Sequence, residues 1–167
     1  KHSVATATVA RAMSRDAALE PELAFVGGLL HDIGKLVVDL YEPEQMNEVL
    51  RLCRETGVTY WEAESSMQAM THTQVGAALL QRWSLDERLA AGVGAHHGFG
   101  EPGSAELDKR AAALAAALAI ADFVAWEQGF GMNEGAGKTP PRPQAALDSL
   151  GLTEHHLQRY RDHLAAE

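Results

Sequence analysis

Cysteine is nearly absent. The single Cys53 among 167 residues excludes an internal disulfide and any thiolate-rich zinc site, and it fits a reducing compartment. Aromatic residues make up only 6% of the chain, and its apolar residues are mostly Ala, Leu and Val. A β-sandwich draws on β-branched and aromatic side chains, so this bias favours close-packed helices. Positive charge is scarce too: 14 Lys and Arg against 23 Asp and Glu leave a formal charge of −9. Nucleic acid and anionic membranes both attract basic surfaces, so neither is an expected partner. A small phosphate-containing ligand stays compatible, because a bound cation reverses the field locally. No apolar stretch approaches the roughly 18 residues that span a bilayer, and no signal peptide opens the chain. A cytoplasmic location is the expectation. The chain starts Lys1-His2 and runs at once into a helical pattern, as expected of a piece of a longer protein.

What is present builds a helical core. Hydrophobic residues make up 46%, enough for one domain over residues 1–167. Apolar spacing predicts helices over 3–13, 23–40, 44–54, 60–70, 72–83, 85–97, 106–127 and 154–165. The fold class is therefore all-α, a single bundle of about seven to eight helices. The stretch 23–40 is apolar almost all round and is expected to be the central, buried helix, bent or broken at Ile33-Gly34-Lys35. Gly57 should stop the helix before it, and Ser84 should cap the one after it. Segments 98–104 and 129–143, rich in Gly and Pro, read as loop and flexible connection.

Of the eight histidines, His155, His156 and His163 lie in a polar C-terminal helix and read as solvated. The other five sit on apolar helix faces. His2 precedes Ala5, Val9 and Met13, and His72 leads Val75, Gly76, Leu79 and Leu80. His96 and His97 follow Leu89 and Val93, and His31 stands beside Asp32 inside an apolar run. Asp122 falls on the inner stripe of the alanine-rich helix. Taken singly, each has an ordinary structural explanation: a hydrogen-bonded core histidine, an interhelical acceptor, a helix C-terminus that favours imidazolium. Trp61 and Trp83 read as core. Taken together, they aim imidazoles and carboxylates inward from five helices. A buried carboxylate without a partner costs several kcal/mol, roughly, and a divalent metal supplies that partner. Histidine with carboxylate suits Fe, Mn, Zn or Co. Seven candidate ligands exceed one tetrahedral ion, so two metals bridged by Asp32 accommodate them better.

The run Leu29-Leu30-His31-Asp32-Ile33-Gly34-Lys35 resembles the HD superfamily signature in its HDIG form. Glu64, His72 with Val75-Gly76-Ala77-Ala78-Leu79-Leu80, Trp83, His96-His97, Ala121-Asp122 and Leu150-Gly151-Leu152 resemble the HDOD family specifically. Gly98-Phe99-Gly100 stands where HD-GYP domains carry Gly-Tyr-Pro. The resemblance implies a helical fold related to metal-dependent phosphohydrolases. It implies His2, His31, Asp32 and Asp122 as ligands of a first metal, and His72 with His96 or His97 as ligands of a second. Only one of those two neighbours should face the site, since adjacent helical positions point about 100° apart; His96 is preferred. Lys35 resembles the family lysine near a substrate phosphate, so Asp32 and Lys35 are the candidate catalytic pair. The cofactor expectation is one or two divalent ions, Fe, Mn, Zn, Co or Mg. HDOD kinship implies signal transduction with other signalling domains or proteins as partners; active phosphohydrolysis is the alternative.

Overall fold

The computed structural model describes residues 1–67, 69–100, 107–131 and 140–167. Among them there are helices and no strand, in the order α1 His2–Met13, α2 Pro21–Leu30, α3 Ile33–Tyr41, α4 Pro43–Thr56, α5 Tyr60–Ser65, α6 His72–Arg82, α7 Glu87–Ala95, α8 Lys109–Ala125, a π-helical turn Trp126–Phe130, α9 Gln144–Leu150 and α10 Glu154–Ala165. The all-α class is as expected. The starts are chemically marked. Pro21 and Pro43 open α2 and α4, where a missing N–H costs nothing. Thr59 with Glu62 and Thr71 with Gln74 form capping boxes on α5 and α6, and Asp108 accepts the Arg110 and Ala111 N–H groups at the head of α8. Gly57 ends α4 in the left-handed conformation, φ 70°, as its position predicts.

The centre of the molecule is α8, not the stretch 23–40. Nearly every α8 residue from Leu114 to Ala125 is buried, and α1, α2, α7, α9 and α10 pack on it. The expected single helix over 23–40 is two, α2 and α3, and it breaks at His31-Asp32 rather than at Gly34. Its outer face is open to solvent: Leu29, Leu36 and Leu40 are 40%, 66% and 71% exposed. An all-round apolar sequence does not say which helix other elements surround, and alanine lets α8 take more close neighbours. Gly28 and Gly34 do not break helices but let them touch. A Cβ on Gly28 would lie 2.5 Å from the Ala7 Cα on α1, and one on Gly34 would lie 1.9 Å from the His72 carbonyl oxygen on α6.

Other boundaries moved as well. Asp86, not Ser84, caps α7; Ser84 occupies a left-handed turn, φ 55°. Helix α9 carried no strong periodic signal and was not foreseen. Trp83 is half exposed rather than core. The expected loop 98–104 and connection 129–143 fall partly outside the described residues. Lys109–Phe130 is, contrary to the sequence reading, long and apolar enough to cross a membrane by length and composition, with mean hydropathy 1.3, but 67% of that window is buried against other helices. A second apolar cluster, of Val38, Met46, Val49, Cys53, Tyr60 and Ala63, ties α3, α4 and α5 together.

Candidate metal centre

All seven sequence-predicted ligands converge, and most come from helix ends. His2 opens α1, His31 and Asp32 form the α2–α3 turn, His72 opens α6, His96 and His97 follow α7, and Asp122 comes from the last turn of α8. His31, His72 and His96 are fully enclosed. Asp32 lies between two groups. Its Oδ2 is 3.4 Å from His31 Nε2 and 3.7 Å from His2 Nε2, while its Oδ1 is 3.4 Å from His72 Nε2. Asp122 Oδ1 completes the first group, 2.9 Å from His2 Nε2 and 3.7 Å from His31 Nε2. Potential ligand atoms of His2, His31 and Asp32 lie within 4.8 Å of one another, as do those of Asp32, His72, His96 and His97.

His96 and His97 both bring a ring nitrogen to the second group, although His96, just past the end of α7, keeps right-handed helical dihedrals. Their rings lie 4.1 Å apart, and His97 also stacks on Trp61 at 5.4 Å.

Hydrogen bonding prepares three of the imidazoles in the same way. His31 Nδ1 meets the Gly28 carbonyl at 2.8 Å, and His96 Nδ1 meets the Val93 carbonyl at 2.7 Å. His72 Nδ1 meets Glu64 Oε2 at 2.6 Å. A carbonyl or an ionised carboxylate accepts only, so Nδ1 carries the proton in His31 and His96, and in His72 while Glu64 is ionised, and each Nε2 then has a lone pair when the ring is neutral. Those Nε2 atoms have no partner: His31 Nε2, His72 Nε2 and His96 Nε2 are buried and unbonded, as are His2 Nδ1 and Asp32 Oδ1. Leaving one such group unsatisfied costs about 1–3 kcal/mol. Five together rival the ~5–15 kcal/mol net stability of a whole domain. The Nε2 atoms of His31, His72 and His96 and the Oδ1 of Asp32, buried without partners among groups of mutually close ligand atoms, fit a divalent cation.

The charge states of His72, His96, His97, Asp32 and Asp122 agree with that fit. Burial pushes His72 and His97 down to about 3 and His96 well below its usual value, so all three are neutral at pH 7. Burial would raise Asp32 and Asp122, but His31, with Lys35 for Asp32 and His2 for Asp122, outweighs it and holds both well below the carboxylate range. Burial would lower His31, yet Asp32 and Asp122 lift it above its usual value, so a cation at its Nε2 would bind in place of a proton.

Lys35 projects from the first turn of α3 with Nζ 2.7 Å from Asp32 Oδ2 and 4.7 Å above the Tyr60 ring. A cleft of about 500 Å³ opens onto the centre and is lined by Lys35, Trp61, His97, Asp122, Trp126 and Arg142. Glu64 is the functional residue whose role sequence reasoning missed. It belonged to the pattern of the resemblance, but nothing in the sequence said that a carboxylate on α5 would grip a histidine on α6. Burial pushes it up to about 7. His156 also has a structural role: its Nδ1 accepts the Thr153 N–H at the start of α10.

Comparison with known proteins agrees with the architecture. A family model for the HDOD domain matches residues 1–99. A crystal structure of an HDOD domain protein of unknown function from Geobacter sulfurreducens superposes with TM-score 0.74 at 25% identity, over 99% of this chain and 57% of that one. A proposed signal transduction protein from Marinobacter aquaeolei VT8 superposes with TM-score 0.74 at 20% identity, over 99% of this chain and 36% of that one. Ribonuclease Y of Fervidobacterium nodosum is 33% identical over 119 residues, 71% of this chain and 17% of the enzyme. The chain thus spans well under two thirds of each of these proteins.

Proposed function

Because the chain belongs to the HDOD domain family, we propose that it is a signal-transduction domain whose helical core holds a divalent metal centre that receives a phosphate-containing ligand. One observation carries the reading: four buried, unpartnered atoms, the Nε2 of His31, His72 and His96 and the Oδ1 of Asp32, belong to the two groups of mutually close ligand atoms that Asp32 shares. His2, His31, Asp32 and Asp122 would hold one ion; Asp32, His72, His96 and His97 would hold a second. An ion held there would supply Lewis-acid charge toward a phosphate and would acidify bound water. Lys35 sits at the mouth of the cleft with its ammonium beside Asp32, where it can donate to an anionic oxygen. Trp61 backs His97 and limits water on that side. The signalling role rests on family membership, and its partners would be other signalling domains or proteins.

The test is elemental analysis of protein purified without chelator and loaded anaerobically with Fe²⁺, Mn²⁺ or Zn²⁺. At least one ion per chain is expected, with inorganic phosphate binding only to the loaded form. Protein that retains none of the three ions overturns the reading.

A second reading, hydrolysis of a phosphodiester, is favoured by the completeness of the donor set and by Lys35. The ribonuclease among the relatives lends support, although a charge of −9 weighs against RNA as substrate. Turnover of bis(p-nitrophenyl) phosphate by the Mn²⁺-loaded protein, abolished in Asp32→Asn, would establish it; absence of turnover of this and of cyclic dinucleotides would remove it.

A further inference from the structure

Glu64 is enclosed on all sides, its side chain 0% exposed, and it serves two donors of one residue. Its Oε1 accepts the His72 backbone N–H at 2.7 Å, and its Oε2 accepts from His72 Nδ1 at 2.6 Å. His72 is the first residue of α6, so its backbone N–H has no carbonyl of its own helix to reach. The hydroxyl of the capping Thr71 accepts the Gln74 N–H instead.

We infer that Glu64 is a positioning residue that dictates the tautomer of His72, and through it whether the half of the centre built from His72, His96 and His97 can take a metal ion. This rests on the metal reading above. Two acceptor oxygens satisfy two donors, so the ring proton stays on Nδ1 and the Nε2 lone pair faces Asp32 Oδ1 at 3.4 Å. In Glu64→Gln one oxygen becomes an NH₂. The backbone N–H cannot change sides, so it claims the remaining oxygen. The NH₂ then faces Nδ1 and can only donate to it, which forces the ring proton onto Nε2, where the metal would bind. His31 and His96 are immune, because backbone carbonyls fix them.

The inference separates Glu64 from a merely structural buried residue. Glu64→Ala loses both hydrogen bonds and is the more destabilised protein, but leaves His72 free to choose its tautomer. Glu64→Gln keeps a hydrogen bond to the backbone and is the more stable variant, but carries the wrong tautomer. Metal affinity and stability should therefore rank the two variants in opposite orders.

The experiment has two arms. In metal-free protein labelled with ¹⁵N-histidine, held at a pH above the value of about 7 to which burial raises Glu64, long-range nitrogen–proton correlation spectra should place the His72 proton on Nδ1 in the parent and on Nε2 in Glu64→Gln. In Co²⁺ titrations followed by visible absorption, the binding step lost in His72→Ala should weaken about 10–100-fold in Glu64→Gln and by less in Glu64→Ala. The step lost in His31→Ala should be unchanged in both variants. An unchanged tautomer in Glu64→Gln, or stronger Co²⁺ binding there than in Glu64→Ala, overturns the inference. If Glu64→Gln does not fold, Glu64→Ala decides: a mixed tautomer with a weakened His72 step supports the inference, and a pure Nδ1–H ring overturns it. A parent that binds no Co²⁺ overturns the metal reading alone, since the tautomer arm needs no metal.

Discussion

Replacing Gly34 with alanine tests how the fold holds the centre together. Gly34 lies in the first turn of α3, two residues after Asp32, and packs against the first turn of α6, which begins with His72. An added Cβ would lie 1.9 Å from the His72 carbonyl oxygen, 2.7 Å from its carbon and 2.8 Å from the Gly76 nitrogen. Carbon and oxygen in van der Waals contact stay about 3.3 Å or more apart, so α3 and α6 must separate by more than an ångström, roughly. Overpacking costs about 1–3 kcal/mol, and because the obstructing atoms are backbone the upper end applies. Alanine regains about 1 kcal/mol of helix propensity over glycine, which leaves a net loss of about 2 kcal/mol. For a chain of this size that corresponds to a melting temperature about 4–8 °C lower. The same separation carries His72 Nε2 away from Asp32 Oδ1, now 3.4 Å apart, so the proposed second group loosens along with the packing. Thermal unfolding followed by circular dichroism reads the first effect, and metal per chain after gel filtration reads the second. Gly98→Ala is the control, since nothing lies within 4 Å of its Cβ and its melting temperature should barely move. If Gly34→Ala melts with the parent and keeps its full metal content, the close approach of α3 and α6 does not set the site.

Three further outcomes are expected. Asp32 is shared by both ligand groups, so Asp32→Asn should lower metal affinity at least tenfold, roughly, in every binding step, whereas Asp122→Asn should spare the step that depends on His72; elemental analysis after dialysis distinguishes them, and equal losses would refute the division into two groups. Lys35→Met should leave metal content intact and weaken inorganic phosphate binding about tenfold, the value of one charge-assisted hydrogen bond, and calorimetry showing unchanged phosphate affinity would remove Lys35 from the ligand site. Away from the centre, the Tyr160 hydroxyl donates to Asp16 Oδ2 at 2.7 Å, and burial, with Asp16 adding to it, pushes its pKa well above 10. Above pH 10 the unfolded chain then sheds a proton that the folded one keeps, so stability falls as pH rises beyond about 10. Tyr160→Phe should cost about 1–2 kcal/mol at pH 7 and flatten that alkaline slope in urea melts; a slope as steep as the parent's would refute the assignment.

The candidate ligands were legible in sequence because they break a pattern. Histidine and aspartate standing inside apolar runs are costly enough to demand a reason, and His31-Asp32, His72, His96-His97 and Asp122 all do so. The fold around them was harder to read. Periodicity located α1, α4, α6 and α10 to within a few residues, yet it placed the break in 23–40 at the glycine rather than at the histidine and aspartate. It also took the more hydrophobic stretch for the centre, when the alanine-rich α8 occupies it. Hydrophobicity measures what a side chain gains by leaving water, but the number of helices that can gather around an axis depends on side-chain size. Glu64 was beyond that reach altogether, since its role exists only once α5 is laid beside the head of α6.

The positions of the ligands on their helices explain why Glu64 is needed at all. The last carbonyls of an α-helix have no N–H of their own helix to accept from. His31 follows α2 and His96 follows α7, each three residues after the carbonyl that its Nδ1 engages, Gly28 and Val93. The helix end thus supplies the acceptor that fixes the ring. His72 stands at the opposite kind of terminus. A helix N-terminus offers free N–H groups and no free carbonyl, so the same device cannot work there. A carboxylate from another element must provide both things that the terminus lacks: an acceptor for the ring, and a partner for the exposed backbone N–H. Glu64 does both with its two oxygens. The rings fixed by carbonyls depend only on their own helices, whereas the ring fixed by Glu64 depends on how α5 sits against α6. Disturbing the cluster of Val38, Met46, Val49, Cys53 and Tyr60 that seats α5 should therefore loosen the His72 half of the centre before the His31 half. In Val49→Ala, Co²⁺ binding should weaken in the step that depends on His72 and hold in the step that depends on His31. Equal weakening of both would show that the two halves share one support.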